Sequence, residues 1–134
     1  MSKIYHSGNH CRYLLKVHLI LVVKYRKRLL TGSMDEDVAQ VLFDISKESD
    51  FSIEMMENDK DHIHMLLDYP PSLSLSSIVN RLKNISTNRI WKRKATELKK
   101  EFWKENTFWS DGYFCCSTGD ACTETIRQYI EEQG

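Results

Sequence analysis

Between positions 13 and 25 the chain alternates, with Tyr13, Leu15, Val17, Leu19, Leu21, Val23 and Tyr25 on one side and Leu14, Lys16, His18, Ile20, Val22 and Lys24 on the other. A period of two sends successive side chains to opposite faces of a strand, so the segment predicts a long first strand with one apolar face and one mixed face. The period changes after a Thr31-Gly32 turn. Ser33 followed by Glu36 makes a capping box, and Met34, Val38, Val41, Leu42 and Ile45 recur at helical spacing, predicting a helix over about 34–49.

Alternation returns with Phe51, Ile53 and Met55 against Ser52, Glu54 and Met56. The turn residues Asn58-Asp59-Lys60-Asp61 predict a hairpin onto a strand over 62–69, which Pro70-Pro71 ends. Leu75, Ile78, Val79, Leu82, Ile85 and Ile90 then repeat as a second helix capped by Ser72 or Ser74, with 91–103 continuing it as helix or partly as loop. Phe108-Trp109 and, after Asp111-Gly112, residues 113–117 predict a last strand or strand pair. Gly119-Asp120 breaks it, and 122–133 reads as a short C-terminal helix.

The order β-α-β-β-α-β plus a terminal helix is the split βαβ of a ferredoxin-like α+β fold with an antiparallel sheet. Its first and third strands are central neighbours. Their mixed faces would group Lys16 and His18 with His62, His64 and Asp68, while the apolar faces take the two long helices. All 134 residues fit one domain with a real core.

Net charge is zero, but the average hides blocks. Residues 1–30 carry seven Lys/Arg and no Asp/Glu, 31–62 two against ten, 63–104 nine against three, and 105–134 one against six. If folding brings the basic blocks together, Lys24, Arg26, Lys27 and Arg28 with Arg81, Lys83 and Arg89 would offer a positive face to a polyanion; solvated surface charge is the competing explanation. Cys11, Cys115, Cys116 and Cys122 contain no C-x-x-C pair and are expected to be reduced thiols of a cytoplasmic protein. No secretory signal or membrane span is expected, because the apolar run over 14–23 is far shorter than the ~20 residues a spanning helix needs.

Two features carry chemistry. His62 and His64 stand two apart on a strand, so both imidazoles point the same way, supplying part of a metal shell that needs at least one more ligand. Tyr129 and Gln133 stand four apart and share a helical face. A Gln carbonyl suits Mg²⁺ or Mn²⁺, and a Tyr beside a metal can attack phosphorus. The same spacing suits an ordinary amphipathic helix with a frayed end.

Taken together, these residues resemble the single-tyrosine HUH (His-hydrophobic-His) transposases of the insertion sequence 200/605 type. The resemblance runs through Val22-Val23-Lys24-Tyr25-Arg26, Asp61-His62-Ile63-His64 with Pro70, and Leu82-Lys83 with Ser86. It continues through Trp109, Gly112-Tyr113-Phe114, Ser117-Thr118-Gly119 and 126–133, while Val23 and Asn84 depart from the Thr and Gly of the pattern. It implies a single HUH transposase domain over 1–134. Tyr129 would cleave single-stranded DNA through a 5′-phosphotyrosine, and His62, His64 and Gln133 would hold Mg²⁺ or Mn²⁺. DNA hairpins at element ends would be the partner. A homodimer is implied, with composite sites formed in trans by exchange of the tyrosine helix. The basic residues would bind the DNA backbone, and Trp91, Trp103 or Trp109 would be available to stack on unpaired bases. Two other readings stand beside it: a non-catalytic single-strand nucleic-acid-binding module, and a cellular relative acting on chromosomal palindromes.

Overall fold

A computed structural model describes residues 6–8, 11–13, 15–117 and 121–132. Two short strands come first, β1 (His6–Gly8) and β2 (Cys11–Tyr13), paired antiparallel with each other. They take up the start of the alternating segment, so the long first strand expected over 13–25 is shorter: β3 spans Lys16–Val22. It stops at a 3-10 turn, Lys24–Arg26, where Tyr25 and Arg26 have φ of 61° and 50°. A positive φ turns the backbone out of strand geometry, which alternation of side chains does not reveal.

Helix α1 (Gly32–Lys47) follows, then β4 (Ser52–Asn58), β5 (His62–Asp68), helix α2 (Leu75–Glu101), β6 (Phe114–Ser117) and helix α3 (Ala121–Glu132). The capping box expected at Ser33 does not form. Thr31 is the N-cap of α1 and makes no side-chain cap bond, and the Ser33 hydroxyl instead accepts from Lys94 Nζ at 2.9 Å. The cap of α2 is Ser74, whose hydroxyl accepts from the Ser77 amide at 3.2 Å. The helix continues through Trp91 to Glu101 across a kink at Lys94, where φ and ψ of −128° and 29° are non-helical.

The main sheet is antiparallel with strand order β4-β5-β3-β6, so β3 and β5 are the central neighbours of a ferredoxin-like arrangement. Their register sets Val22 opposite His62, Ile20 opposite His64 and His18 opposite Leu66. One face of this pair, Val17, Leu19, Leu21, Ile63, Met65 and Leu67, forms a buried core with Val38, Val41, Leu42 and Ile45 of α1 and Ile78, Val79, Leu82 and Ile90 of α2. That leaves His18, His62 and His64 on the other face.

The second face is not bare. Ile20 and Val22 lie on it and are buried, and Phe114 of β6, opposite Ile20, has its ring 5.3 Å from that of Tyr129. Helix α3 therefore packs on the histidine face, away from α1 and α2. Cys115 is a free exposed thiol, whereas Cys116 is disulfide-bonded, which corrects the expectation of four reduced cysteines. The two point to opposite faces because they are adjacent on β6. Among the described residues, no helix is long and apolar enough to cross a membrane.

Candidate active site

His62 sits one residue past the hairpin turn, where Asp59 N donates to His62 O at 3.0 Å and anchors the start of β5. Its Nδ1 lies 2.8 Å from Asp61 Oδ1. An Nδ1–H donated to that carboxylate leaves the Nε2 lone pair free for a metal, the usual support of a histidine ligand. Asp61 Oδ2 in turn accepts from Arg26 Nε at 3.2 Å. Burial opposes ionisation of Asp61, but the hydrogen bonds from His62 and Arg26, with their charges, outweigh it and hold the carboxyl below its usual range.

His64 lies deeper. Its Nε2 is 2.7 Å from His18 Nδ1, and its Nδ1 is 3.9 Å from Glu57 Oε2. Burial lowers the pKa of His64, the imidazoles of His18 and His62 lower it further, and Glu57 partly offsets them. A neutral imidazole is the form that ligates a metal. His18 thus joins the histidine pair through the β3–β5 register, the grouping that the mixed faces of the two strands led one to expect.

Tyr129 reaches this face from α3. Its hydroxyl is buried, has no hydrogen-bond partner among the described residues, and rests on Gly112, where an added Cβ would stand 3.4 Å away. Burial raises its pKa. The loop beneath is held by Lys83, whose Nζ donates to the carbonyls of Ser110, Asp111 and Gly112 at 2.7, 3.0 and 2.8 Å. Burial lowers the pKa of Lys83, and Asp111 partly offsets this. Between α3 and the hairpin lies a cleft of about 470 Å³ bordered by Tyr25, Arg26, Arg28, Asp61, His62 and Ile130. Arg26 Nη1 spans it, donating to the Glu131 carbonyl at 3.3 Å.

Gln133, the expected third ligand, lies outside the described residues, as does the Thr118-Gly119 turn. Among the described residues no group of three or more His, Cys, Asp or Glu could hold a metal by itself. Two imidazoles on one face, one backed by a carboxylate, nonetheless match part of a divalent-cation shell.

The basic residues separate into two sets. Arg26 and Arg28 line the cleft, whereas Lys24 and Lys27 of the same turn are paired to Glu105 at 3.2 Å and to Glu101 at 3.3 Å. On α2, Arg81 Nε donates to Ser49 Oγ at 2.6 Å and Arg89 grips both oxygens of Glu48 at 2.8 and 2.9 Å. These contacts tie α2 to the end of α1, on the side of the sheet away from the histidines. The sequence marked neither the Asp61–Arg26 link nor the Lys83 clamp, because both depend on the turn at 24–26 and the loop at 110–112.

The family model of IS200-like transposases matches residues 11–133. The chain belongs to the IS200-like transposase family. An IS200-like transposase binds DNA and cleaves and rejoins it, and members of the family generally use a divalent metal. The ISDra2 transposase TnpA of Deinococcus radiodurans is 31% identical over 127 residues, covering 95% of this chain and 89% of that protein. The transposase for insertion sequence element IS200 of Salmonella typhimurium is 32% identical over 124 residues, covering 92% and 80%. Among solved structures, a Deinococcus radiodurans R1 crystal structure assigned to the transposases superposes with a TM-score of 0.89 at 27% identity, covering 96% of this chain and 97% of that one. A REP-associated tyrosine transposase, solved bound to a REP hairpin, shares the fold with a TM-score of 0.55 at 13% identity, covering 92% and 68%.

Proposed function

We propose that this IS200-like transposase cleaves and rejoins single-stranded DNA at hairpin-bearing element ends, with Tyr129 as nucleophile. The observation that carries the reading is that α3 lays Tyr129 against Phe114 on the histidine face of the sheet. The Tyr129 oxygen attacks the phosphorus, the bond to the 3′ oxygen breaks, and the products are a 5′-phosphotyrosine and a free 3′-OH. The phosphodiester is exchanged for a phosphotyrosyl diester, so rejoining is the reverse attack by another 3′-OH and needs no nucleotide cofactor.

His62 and His64 would hold Mg²⁺ or Mn²⁺ together with Gln133, and the cation would supply polarisation of the scissile phosphate. Asp61 keeps the His62 ring turned toward that position. In the free chain the Tyr129 hydroxyl is buried on Gly112, so attack requires it to leave this contact. Lys24, Arg26, Lys27 and Arg28 would contact the DNA backbone beside the cleft. Hairpins are the proposed recognition element, a reading supported by the family resemblance and by the hairpin bound to a structural neighbour.

Excision needs two cleavages and each chain carries one such tyrosine, which supports a homodimer. Exchange of α3 between subunits is tested by mixing Tyr129→Phe and His64→Ala chains. Sites formed in trans regain cleavage in the mixture, and sites formed in cis do not. The reading as a whole is tested with a labelled single-stranded element end and Mg²⁺ or Mn²⁺. Wild type forms a covalent adduct and Tyr129→Phe forms none while still binding the hairpin. Absence of a wild-type adduct on its own element's ends would overturn it.

A further inference from the structure

The two ring nitrogens of His64 face neighbours of different kinds. In the β3–β5 register His62 stands opposite Val22, His64 opposite Ile20 and Leu66 opposite His18, so His18 lies one rung from His64 on the side away from His62. Its Nδ1 is 2.7 Å from His64 Nε2. The ring centroids are 4.9 Å apart and the planes tilted by 46°, so the two imidazoles meet nitrogen to nitrogen and not as a parallel stack. From the other flank, Glu57 of β4 stands opposite His64 and brings Oε2 to 3.9 Å from His64 Nδ1.

These neighbours choose the tautomer. A carboxylate facing Nδ1 favours a proton on that nitrogen, because a lone pair there would be repelled by it. His62 is set the same way, with Nδ1 on the Asp61 carboxylate at 2.8 Å. Both β5 histidines therefore carry the proton on Nδ1 and the lone pair on Nε2, the atom each can offer to a cation. The His62 ring makes no other hydrogen bond among the described residues. At His64 the lone pair is already taken, since its Nε2 is the acceptor of the 2.7 Å bond and His18 Nδ1–H is the donor. An imidazole nitrogen has one lone pair, so it cannot serve an N–H group and a metal together.

We propose that His18 is a latch on the metal ligand His64: its Nδ1–H occupies the Nε2 lone pair and draws that nitrogen away from His62, so His64 becomes a ligand only when this bond opens. His18 is a positioning residue that lowers the metal affinity of the free chain from outside the ligand set. The inference rests on the proposed ligation by His62 and His64 and adds a competitor built into β3.

The test is Mn²⁺ binding to the full-length protein without DNA, at about pH 8, above the ordinary histidine range, with free Mn²⁺ read by electron paramagnetic resonance. His18→Phe keeps a ring and removes the donor, and it binds Mn²⁺ about fivefold more tightly than wild type, the equivalent of one net hydrogen bond. His18→Asn places an amide N–H near the position of Nδ1 and stays close to wild-type affinity. A merely structural role for His18 would lower the melting temperature without separating the two variants in affinity. Nitrogen NMR of the wild type gives a readout free of any substitution: coupling across the hydrogen bond joins His18 Nδ1 to His64 Nε2 in metal-free protein and disappears on saturation with Mg²⁺. Unchanged or weaker Mn²⁺ binding by His18→Phe overturns the proposal, as does coupling that persists at saturating Mg²⁺. Loss of Mn²⁺ binding in His62→Ala with no gain in His18→Phe overturns the latch alone, whereas wild-type binding in His62→Ala overturns the ligand assignment in the proposed function and the latch with it.

Discussion

His18 Nδ1 and His64 Nε2 stand 2.7 Å apart, so one ring must donate while the other accepts. The contact needs at least one neutral imidazole, and two imidazolium rings would repel. Burial and the neighbouring imidazoles already hold His64 below the ordinary histidine value of 6.5. The unfolded chain therefore takes up the proton first as pH falls. Stability from this group is complete above about 6.5, is lost as pH falls toward the folded pKa, and levels off below it. In metal-free buffer the melting temperature should fall between pH 8 and pH 5.5, and both His18→Asn and His64→Asn should flatten that slope. A slope unchanged in both variants would place the pH sensitivity elsewhere.

The Tyr129 hydroxyl is buried without a partner among the described residues, an arrangement that costs about 1–3 kcal/mol for a polar group removed from water. Tyr129→Phe keeps the ring contact with Phe114 and removes the unsatisfied oxygen. Chemical denaturation should find this variant as stable as wild type or more stable by about 1 kcal/mol, although it forms no DNA adduct. Destabilisation would mean that the hydroxyl has a partner in solution.

Trp109 and Ser86 are both buried, and a 2.9 Å hydrogen bond from Trp109 Nε1 to Ser86 Oγ joins the segment bridged to Val23 to α2. Ser86→Ala strands the indole N–H and should cost about 1–3 kcal/mol in the unfolding free energy. Adding Trp109→Phe removes the stranded donor as well, so the double variant should lose less than the sum of the two single losses. Strict additivity would show that the bond contributes nothing.

Much of the fold is legible because a sheet with one packed face imposes a strict period of two and each helix buries one stripe. Leu19, Leu21, Ile63 and Met65 mark their strands by spacing alone, and the strand order follows from the sequence of elements. Where backbone conformation rather than polarity decides, the pattern misleads: Val23 and Tyr25 continue the alternation, but Tyr25 and Arg26 have left-handed φ and end the strand. The candidate site divides in the same way. His62 and His64 are adjacent in sequence and share a face by strand geometry. His18, Asp61 and Lys83 act through contacts set by register and loop shape, so residue type alone did not distinguish a clamp on three carbonyls from a cation waiting for phosphate.

That distinction for Lys83 can be measured. Its ammonium is surrounded by the carbonyls of Ser110, Asp111 and Gly112, and the Tyr129 hydroxyl lies over the Gly112 α-carbon. Lys83→Met removes three charge-assisted bonds from a loop otherwise tied to β3 by the Ser110 amide on Val22 O, and should lower stability by about 2 kcal/mol. Lys83→Arg should not rescue it, because a planar guanidinium cannot converge on three oxygens as an ammonium does. If the residue organises the loop, adduct formation slows in both variants while hairpin affinity and its salt dependence stay at wild-type values. If Lys83 instead contacts phosphate, Lys83→Met weakens hairpin binding and reduces the salt slope by about one unit, whereas Lys83→Arg preserves both. Arg26→Ala and Arg28→Ala, which line the cleft, provide the comparison: the proposed backbone contacts predict a reduced salt slope for these two and none for Lys83→Met.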